Sequence, residues 1–211
     1  MPVFSTLKER ATVTDRPVLR GPFEAHPSQV LPARDGRIGV HLSAECLKRV
    51  TLIGTWPSGL QAWLDAVGAA LGSSLPDRTG LVQDGPRGLV MRTGPEEFLL
   101  IGNDPDDPVP ALRQLIPAEV GSVTDLSHAR CRIRIQGHGA LETLSKLFAL
   151  DFRPAAFPLG ETRLTGHHHL PWVLHRVGEQ AFDAYVYTSY AHDQLHTLMD
   201  AAREYGVSFS R

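Results

Sequence analysis

The stretch HRVGEQAF, residues 175–182, matches an earlier stretch, MRTGPEEF, residues 91–98, in spacing and in key residues. Each copy contains an arginine, a glycine two positions later and a phenylalanine four positions after that glycine. The two arginines, Arg92 and Arg176, are 84 residues apart. A glycine between two apolar runs is typical of a turn that joins two β-strands. Its recurrence is the first sign that the chain contains a repeated unit.

Two further pairs of landmarks keep nearly the same separation. Gly54 and Gly137, which each end a predicted strand, are 83 residues apart. The predicted helix caps Asp107 and Ser189 are 82 residues apart. Three separations that agree within two residues are more than the chance placement of glycines explains. The sequence therefore predicts an internal duplication.

Hydrophobic periodicity predicts the same order of elements in both halves of the chain. The predicted elements of the first half are strands at 37–43 and 46–54, a helix at 59–72, two strands within 88–102 around the turn at Gly94-Pro95, and a helix capped by Asp107 with Pro108 in its first position. Those of the second half are a strand at 129–137, a helix at 138–150, two strands within 170–189 around Gly178, and a helix at 189–206 capped by Ser189.

These elements predict an α+β fold of two pseudo-repeated strand–helix–strand–strand–helix units packed together. The first unit is expected at residues 37–122 and the second at 123–211. Residues 1–36 contain five prolines and no sustained period, which predicts an extended N-terminal arm. The arm carries apolar residues that we expect to lie on a partner protein: Phe4, Leu7, Leu19 and Phe23.

Composition and charge exclude several classes of function. The 211 residues carry a formal net charge of −2, which provides no long-range attraction to nucleic acid or anionic lipid. The two cysteines, Cys46 and Cys131, form no CxxC motif and are interpreted as small apolar residues in a reducing compartment. The N-terminus has no apolar signal-peptide region, and no run reaches the roughly 18 apolar residues of a membrane span. We therefore expect a cytoplasmic protein with no nucleic-acid or membrane partner.

Four histidines lie close together in GHHHLPWVLH, residues 166–175. If this segment is extended, His167, His169 and His175 share one face of a strand and His168 lies on the other. A His-x-His pair needs a third or fourth ligand to hold zinc. No cysteine or HExxH motif lies nearby, and the other histidines are scattered along the chain. The sequence therefore predicts no metal site.

Two other polar clusters contain parts of nucleotide-binding or catalytic motifs. Gly-His-Gly at residues 137–139 lies between a predicted strand and a predicted helix, but the dinucleotide fingerprint has its third glycine where this chain has Glu142. A tight strand-to-helix turn explains these glycines. Asp125, Ser127 and His128 have no accompanying GxSxG motif and are interpreted as polar residues bonded to the backbone. We predict no catalytic residue and identify no cofactor-binding residue in this chain.

Several motifs of the second half occur in an order that is specific to one family. They are the Asp-x-Ser of residues 125–127, a strand that ends at Gly137, a Leu-rich helix, LDFRPAAFPLG at residues 150–160, and the Arg-x-Gly pattern of residues 176–182. In the first half, VTLIG, LGSSLP and MRTGPEEFLLIG fit the same family, with Phe98 at its aromatic position. The chain resembles the gamma subunit family of heterotetrameric sarcosine oxidase.

The resemblance covers residues 37–206 and implies both a fold and a function. The family is similar in fold to folate-dependent aminomethyltransferases such as the T-protein of glycine cleavage. The resemblance implies a non-flavin subunit of a bacterial complex that demethylates sarcosine to glycine, forms hydrogen peroxide and transfers the one-carbon unit to tetrahydrofolate. It implies alpha, beta and delta subunits as partners, with FAD, FMN and NAD on the alpha and beta subunits and zinc on delta. This chain would pack on the folate-binding region of the alpha subunit.

Two departures from the family pattern leave other hypotheses open. The arm has TDRPVLRGP, residues 14–22, where many members have a short Arg-Arg-Ser-Pro segment. True aminomethyltransferases have paired aspartates after a glycine-rich turn, and the nearest candidate here, Asp106-Asp107, is interpreted as a helix cap. The preferred hypothesis is a subunit that acts by contact and binds no cofactor itself. The alternatives are a stand-alone folate-binding enzyme related to the aminomethyltransferases and a regulatory module for a small ligand.

Overall fold

Two β-sheets form the centre of the structure because most of the strands carry apolar residues that need cover from a neighbouring layer. The computed structural model describes residues 21–56, 60–102 and 108–211. Within these ranges the strands form one seven-stranded and one five-stranded sheet.

The seven-stranded sheet contains strands from both halves of the chain. They are β1 (Gln29–Leu31), β2 (Val40–Cys46), β8 (Arg130–Gln136), β9 (Thr162–His167), β10 (Leu170–Gly178), β11 (Ala181–Tyr187) and β12 (Val207–Ser210). Their order across the sheet is β1-β12-β2-β8-β11-β10-β9. Neighbours are antiparallel except β12 and β2, which run parallel.

The five-stranded sheet is antiparallel throughout. Its strands are β3 (Arg49–Thr55), β4 (Val82–Gly85), β5 (Gly88–Arg92), β6 (Glu97–Gly102) and β7 (Gly121–Asp125). Their order across the sheet is β4-β5-β6-β3-β7.

Helices cover the outer face of each sheet. They are α1 (Leu60–Leu71), α2 (Val109–Leu115), α3 (Ala140–Leu147) and α4 (Ala191–Ala202), with 3₁₀ turns at Thr188–Tyr190 and Arg203–Tyr205. The first two helices pack on the five-stranded sheet and the last two on the seven-stranded sheet. In the described part of the chain, none of these helices is long and apolar enough to cross a membrane.

A third apolar cluster joins the inner faces of the two sheets. Met91, Leu99 and Ile101 of the five-stranded sheet pack with Val173 and Tyr185 of the seven-stranded sheet. The molecule is therefore a four-layer sandwich of helices, sheet, sheet and helices. The predicted α+β class is confirmed as a mixed fold with two sheets.

The two halves of the chain exchange one strand each. β2 directly precedes β3 in the sequence, yet it pairs with β8 of the other half. β7 directly precedes β8, yet it pairs with β3. Each sheet therefore contains a strand that the other half supplies. Without this exchange, each half would present an unpaired sheet edge.

Most predicted elements are present, but the N-termini of two helices differ from the predicted positions. Tyr190, rather than Ser189, occupies the N-cap position of α4, and no side chain caps that helix; Ser189 lies in the preceding 3₁₀ turn. Pro108 is the N-cap of α2 rather than its first helical residue, and Asp107 lies outside the described residues. The strand predicted at 37–43 begins at Val40; the N–H of Gly39, just before it, donates to the carbonyls of Tyr205 and Gly206.

The last part of the predicted arm packs against the chain itself. β1 pairs with β12 and so forms the edge of the seven-stranded sheet. Phe23 is only 4% exposed and belongs to the core under α4, with its ring 5.9 Å from that of Phe209. The expectation that Phe23 lies on a partner is wrong, because its apolar surface is already buried here. The other three arm residues, Phe4, Leu7 and Leu19, lie outside the described residues.

Arg92 is a buried arginine that binds main-chain oxygens. Its Nη1 donates to the carbonyls of Pro76 (3.3 Å) and Asp77 (2.6 Å), and its Nε donates to the carbonyl of Pro95 (3.1 Å). The guanidinium carbon lies 5.2 Å from the ring centroid of Phe98. The arginine thus ties the loop after α1 to the β5–β6 turn.

Arg176 makes the equivalent contacts in the second half. Its Nη1 donates to the carbonyls of Phe152 (2.9 Å) and Phe157 (2.8 Å), and its Nη2 donates to the carbonyl of Glu179 (2.8 Å). The guanidinium carbon lies 5.4 Å from the ring centroid of Phe182. The repeated Arg-x-Gly-x-x-x-Phe pattern is therefore a structural device, in which the arginine satisfies loop carbonyls and stacks near the phenylalanine.

We predict that Arg176→Met lowers the free energy of unfolding by about 3 kcal/mol or more, because several buried carbonyls lose their donor. Urea unfolding followed by circular dichroism measures the change. Arg153→Met is the matched control, since the Arg153 side chain is 83% exposed and lies in the loop that Arg176 holds. Equal stability of the two variants would contradict the role assigned to Arg176.

We also predict that Phe23→Ala lowers the free energy of unfolding by about 3–5 kcal/mol, the usual range for removing a buried aromatic side chain. Thermal and urea unfolding of the full chain measure the loss. Val30→Ala is the control in the same segment, because Val30 is 63% exposed. If both variants unfold like the unchanged protein, the segment is not part of the core.

Candidate functional site

The triple histidine forms the tight turn between β9 and β10. His167 pairs with Leu170 across the hairpin, so His168 and His169 are the two loop residues. Both loop residues have positive φ, 48° and 65°, as in a type I′ turn. Histidine is one of the few non-glycine residues enriched in this region. The segment 167–175 is therefore not one extended strand, because the chain reverses at His168, and the shared face that an extended segment would give to His167, His169 and His175 does not apply.

The hairpin histidines do not converge on a common point. The rings of His167 and His168 stack with centroids 4.0 Å apart, and His175 lies farther along β10. Burial lowers the pKa of His167, and the neighbouring His168 adds to this effect. Across the ranges that the structure describes, no three His, Cys, Asp or Glu side chains are arranged to hold a metal ion.

Three histidines that are scattered in the sequence meet elsewhere in the fold. The ring of His26 lies 5.5 Å from that of His192 and 5.8 Å from that of His196. His192 and His196 are one turn apart on α4, and both are exposed. The sequence contains this HxxxH spacing, but only the fold adds His26, which packs edge-on against Phe209. This cluster holds the N-terminal segment on α4.

The Gly-His-Gly segment at residues 137–139 is a tight strand-to-helix turn, as expected. Gly137 has a φ of 120°, and a Cβ there would lie 2.3 Å from the carbonyl oxygen of Gly39. The N–H of Gly139 donates to the same oxygen at 3.0 Å. The glycines therefore allow two backbones to approach closely, which agrees with the rejection of a nucleotide fingerprint.

The Asp125, Ser127 and His128 cluster forms the turn between β7 and β8. The hydroxyl of Ser127 donates to Oδ1 of Asp125 at 2.6 Å, and its N–H donates to the same atom at 2.9 Å. The N–H of Val50 donates to Oγ of Ser127 at 3.1 Å. The bonds from Ser127 lower the pKa of Asp125. These bonds fix the turn, as the sequence indicated. Asp106-Asp107, the nearest candidate for an acidic pair, lies outside the described residues.

The polar feature that stands out is a row of arginines on β8. Arg130, Arg132 and Arg134 alternate along the strand and so lie on its inner face, away from α3 and α4. The residues between them, such as Ile133, are buried under the helices. The stretch RCRIRIQ, residues 130–136, shows this alternation of arginines with apolar residues, but it was interpreted above only as a predicted strand.

Asp183 on β11 organises two of these arginines. Arg134 donates from Nε and Nη2 to the two carboxylate oxygens of Asp183 at 2.7 and 2.8 Å. Arg132 approaches the same carboxylate at 3.5 Å and also pairs with Glu45 of β2. The Asp183 side chain is only 3% exposed, so this bidentate pair is largely shielded from water.

A surface groove lies beside this network where the five-stranded sheet no longer covers β2 and β8. Its volume is about 280 Å³, and its walls include Arg132, Arg134, Arg211, Ser43 and Glu45. We call the three arginines of this groove the arginine face. The side chains of Arg132 and Arg134 are 28% and 38% exposed.

Among the described side chains of the arginine face, guanidinium groups outnumber carboxylates. Three guanidinium groups lie beside two side-chain carboxylates, Glu45 and Asp183, and the Arg211 guanidinium also donates to the main-chain carbonyl of Glu24. Arg130 extends the row: it stacks on Tyr187 at 3.8 Å, and burial lowers its pKa. In the described ranges its Nε and Nη1 are buried without a hydrogen-bond partner. The arrangement is suited to binding an anionic group, because each exposed guanidinium presents a fork of N–H donors.

Comparison with known proteins identifies relatives. The model of the sarcosine oxidase, gamma subunit family matches residues 56–204. Sarcosine oxidase subunit gamma from Arthrobacter sp is 32% identical over 141 residues, which are 66% of this chain and 70% of that protein. A protein of the same description from Corynebacterium sp. strain U-96 is 31% identical over 144 residues, 68% of this chain and 70% of that protein.

Solved structures with similar folds agree with these matches. A chain of heterotetrameric sarcosine oxidase from Corynebacterium sp. U-96, in complex with pyrrole 2-carboxylate, superposes with a TM-score of 0.75 and 27% identity. The match covers 89% of this chain and 96% of that chain. Glycine cleavage system aminomethyltransferase T from Bartonella henselae has a TM-score of 0.56 and 16% identity, over 89% of this chain and 56% of that chain. The second likeness concerns the fold alone.

We predict that His175 makes stability depend on pH. His175 is 7% exposed, and burial lowers its pKa below the ordinary value even though Asp183 acts in the opposite direction. The unfolded chain therefore binds a proton more readily, so the free energy of unfolding falls as pH drops below about 6.5. Urea unfolding between about pH 8 and pH 5 should show this loss in the unchanged protein, and a smaller loss in His175→Gln.

His128→Gln is the control, because His128 is exposed. An identical pH profile for His175→Gln and the unchanged protein would show that His175 does not cause the pH dependence of stability.

Proposed function

The chain belongs to the sarcosine oxidase gamma subunit family, and we propose that it is the non-flavin gamma subunit of a sarcosine oxidase-like complex. Such a complex converts sarcosine to glycine by oxidative demethylation, forms hydrogen peroxide and transfers the one-carbon unit to tetrahydrofolate. In this proposal the chain acts by contact, and its partners are the alpha, beta and delta subunits.

The observation that carries the proposal is the match to one chain of the heterotetrameric oxidase. It covers 96% of that chain, so the relative's subunit and this protein share nearly the whole fold. The relative's description as heterotetrameric supports a role inside a larger assembly. We propose that FAD, FMN, NAD and tetrahydrofolate are bound by the other subunits and that the complex is cytoplasmic.

We propose that the arginine face is the surface that contacts the alpha subunit, at an acidic patch near its folate-binding region. Two observations support this choice. The inner face of β2 and β8 is not covered by the five-stranded sheet, which leaves Glu45 and Arg134 partly exposed. The excess of guanidinium groups there favours a partner with carboxylates, since opposite charges guide association and fix orientation.

We also propose that the chain arose by duplication of one unit, expected at residues 37–122 and 123–211. The expected boundary falls inside β7, which begins at Gly121, and each copy has more strands than the expected strand–helix–strand–strand–helix unit. The element order supports this view, because β2-β3-α1-β4-β5-β6-α2 has the same sequence of strands and helices as β7-β8-α3-β9-β10-β11-α4. The order β4-β5-β6-β3 in one sheet also parallels β9-β10-β11-β8 in the other. Arg92 and Arg176 make matching contacts at equivalent places.

We predict that co-expression with the cognate alpha, beta and delta subunits gives a stable complex in which this chain co-purifies with a tag on the alpha subunit. The double variant Arg132→Gln with Arg211→Gln should bind roughly tenfold more weakly at low salt, with a smaller difference at high salt, because two charges are removed from the contact. Affinity is measured by surface plasmon resonance on the purified subunits.

The control for this experiment is Arg153→Gln, which removes an exposed positive charge in the α3–β9 loop. Failure of the unchanged chain to join the complex would refute the proposed function. Normal binding by the double variant would refute only the choice of surface. Tight tetrahydrofolate binding with turnover of an aminomethyl donor by the isolated chain would favour a stand-alone aminomethyltransferase instead.

A further inference from the structure

The two cysteines of the chain face each other on β2 and β8, the paired strands that come from different halves of the chain. The sequence contains only two, Cys46 and Cys131. Cys46 is the last residue of β2 and Cys131 is the second residue of β8. In the antiparallel register of these strands the two residues are direct partners. Each comes from a different half of the chain, so the fold alone brings them together.

The backbone geometry of such a pair suits a disulfide bond. Directly opposite residues in an antiparallel pair have Cα atoms about 4.5 or 5.5 Å apart, depending on the hydrogen-bonding pattern. Disulfides span Cα distances of about 4.4–6.8 Å, so both patterns fall inside the range. Opposite residues also project to the same side of a sheet. Because Cys46 ends its strand, small adjustments there disturb few ladder hydrogen bonds.

The two thiols have different access to solvent. Cys131 is fully buried, and its Sγ donates to the carbonyl of Val186 at 3.9 Å. Cys46 is half-buried and lines a cavity of about 320 Å³ whose walls also include Phe23, Glu24 and Arg211. A small oxidant can therefore reach Cys46 through this cavity, while Cys131 is buried opposite Cys46.

We propose that Cys46 and Cys131 form a redox pair, which a hydroperoxide converts to an intramolecular disulfide between the two halves. In the first step the Cys46 sulfur attacks hydrogen peroxide, the O–O bond breaks, and a sulfenic acid and water form. In the second step the Cys131 sulfur attacks the Cys46 sulfur, the S–O bond breaks and a second water leaves. Both sulfurs are oxidised by one electron each, and the peroxide is reduced to two waters.

The electrostatic surroundings make this reaction slow at neutral pH. Burial raises the pKa of Cys46, and the nearby carboxylates of Glu24 and Glu45 raise it further. Burial raises the pKa of Cys131 to about 12, with a contribution from Cys46. Because the thiolate is the attacking species, the rate rises with pH. The pair therefore responds to sustained peroxide rather than to brief exposure.

The bond would join β2 to β8 covalently and so fasten the exchanged strand in place. It would close a loop that contains all of the first half after Cys46, and cross-linking a long loop restricts the unfolded chain. The oxidised protein should therefore unfold at a higher temperature than the reduced protein. Disulfides of cytosolic proteins in most organisms are reversible and redox-sensing, which fits an oxidised form that reductant can open.

The test uses the full chain, treated with hydrogen peroxide or with diamide, with free thiols then blocked by iodoacetamide. Peptide mapping by mass spectrometry without reductant should detect a Cys46–Cys131 cross-linked peptide, and the intact protein should lose the mass of two hydrogens. Calorimetry should show a melting temperature several degrees higher, which returns to the starting value after dithiothreitol. The rate of cross-linking with peroxide should increase between neutral and alkaline pH.

Cys46→Ser and Cys131→Ala are the matched variants, and neither should gain thermal stability on oxidation. Cys131→Ala keeps a small apolar side chain in the core; if it does not fold, Cys46→Ser and the peptide map of the unchanged protein decide. Three results would overturn the proposal: sulfinic acid at Cys46 without a cross-link, disulfide-linked dimers through Cys46, or two free thiols after diamide. None of these results bears on assembly with the other subunits.

Discussion

The pairing of β2 with β8 and of β3 with β7 is the constraint on which the rest of the structure depends. Each sheet is completed only when the other half of the chain supplies a strand. Backbone N–H and C=O groups of an inner strand need partners on both sides, so neither half satisfies its hydrogen bonds alone. The exchange also fixes how the sheets face each other, since the β2–β3 and β7–β8 connections, which link one sheet to the other, are short. Folding of the two halves is therefore coupled.

The two buried arginines hold the long connections that follow helices α1 and α3. The loops after α1 and α3 expose main-chain carbonyls that no sheet or helix satisfies. Arg92 and Arg176 each donate to carbonyls of one loop and of one hairpin turn. A guanidinium is suited to this position because its five donors lie in one plane and its charge is spread over the group. The loops are thus positioned by side chains of the sheets that they cross.

The unequal widths of the sheets determine which surface is open. The five-stranded sheet meets the inner face of the larger sheet near Val173 and Tyr185. Strands farther along, including β2, present polar residues such as Glu45 to solvent. Antiparallel sheets tolerate one solvated face, so the open region does not weaken the fold. It also leaves the side chains of Arg132 and Arg134 on β8 partly exposed. The same strand therefore contributes to the core through one face and to the proposed subunit contact through the other.

The sequence by itself determined the α+β class and most of the elements, because hydrophobic periodicity reports which face of a segment is buried. It also identified the turns near Gly94 and Gly178, since glycine between two apolar runs is typical of a turn. Only the tertiary structure decided which distant residues meet. The adjacent histidines lie in a tight turn where the chain reverses, and Cys46 and Cys131 are direct partners across two strands. Strand order and register set such contacts, and these depend on how separate segments pair, which a local pattern does not encode.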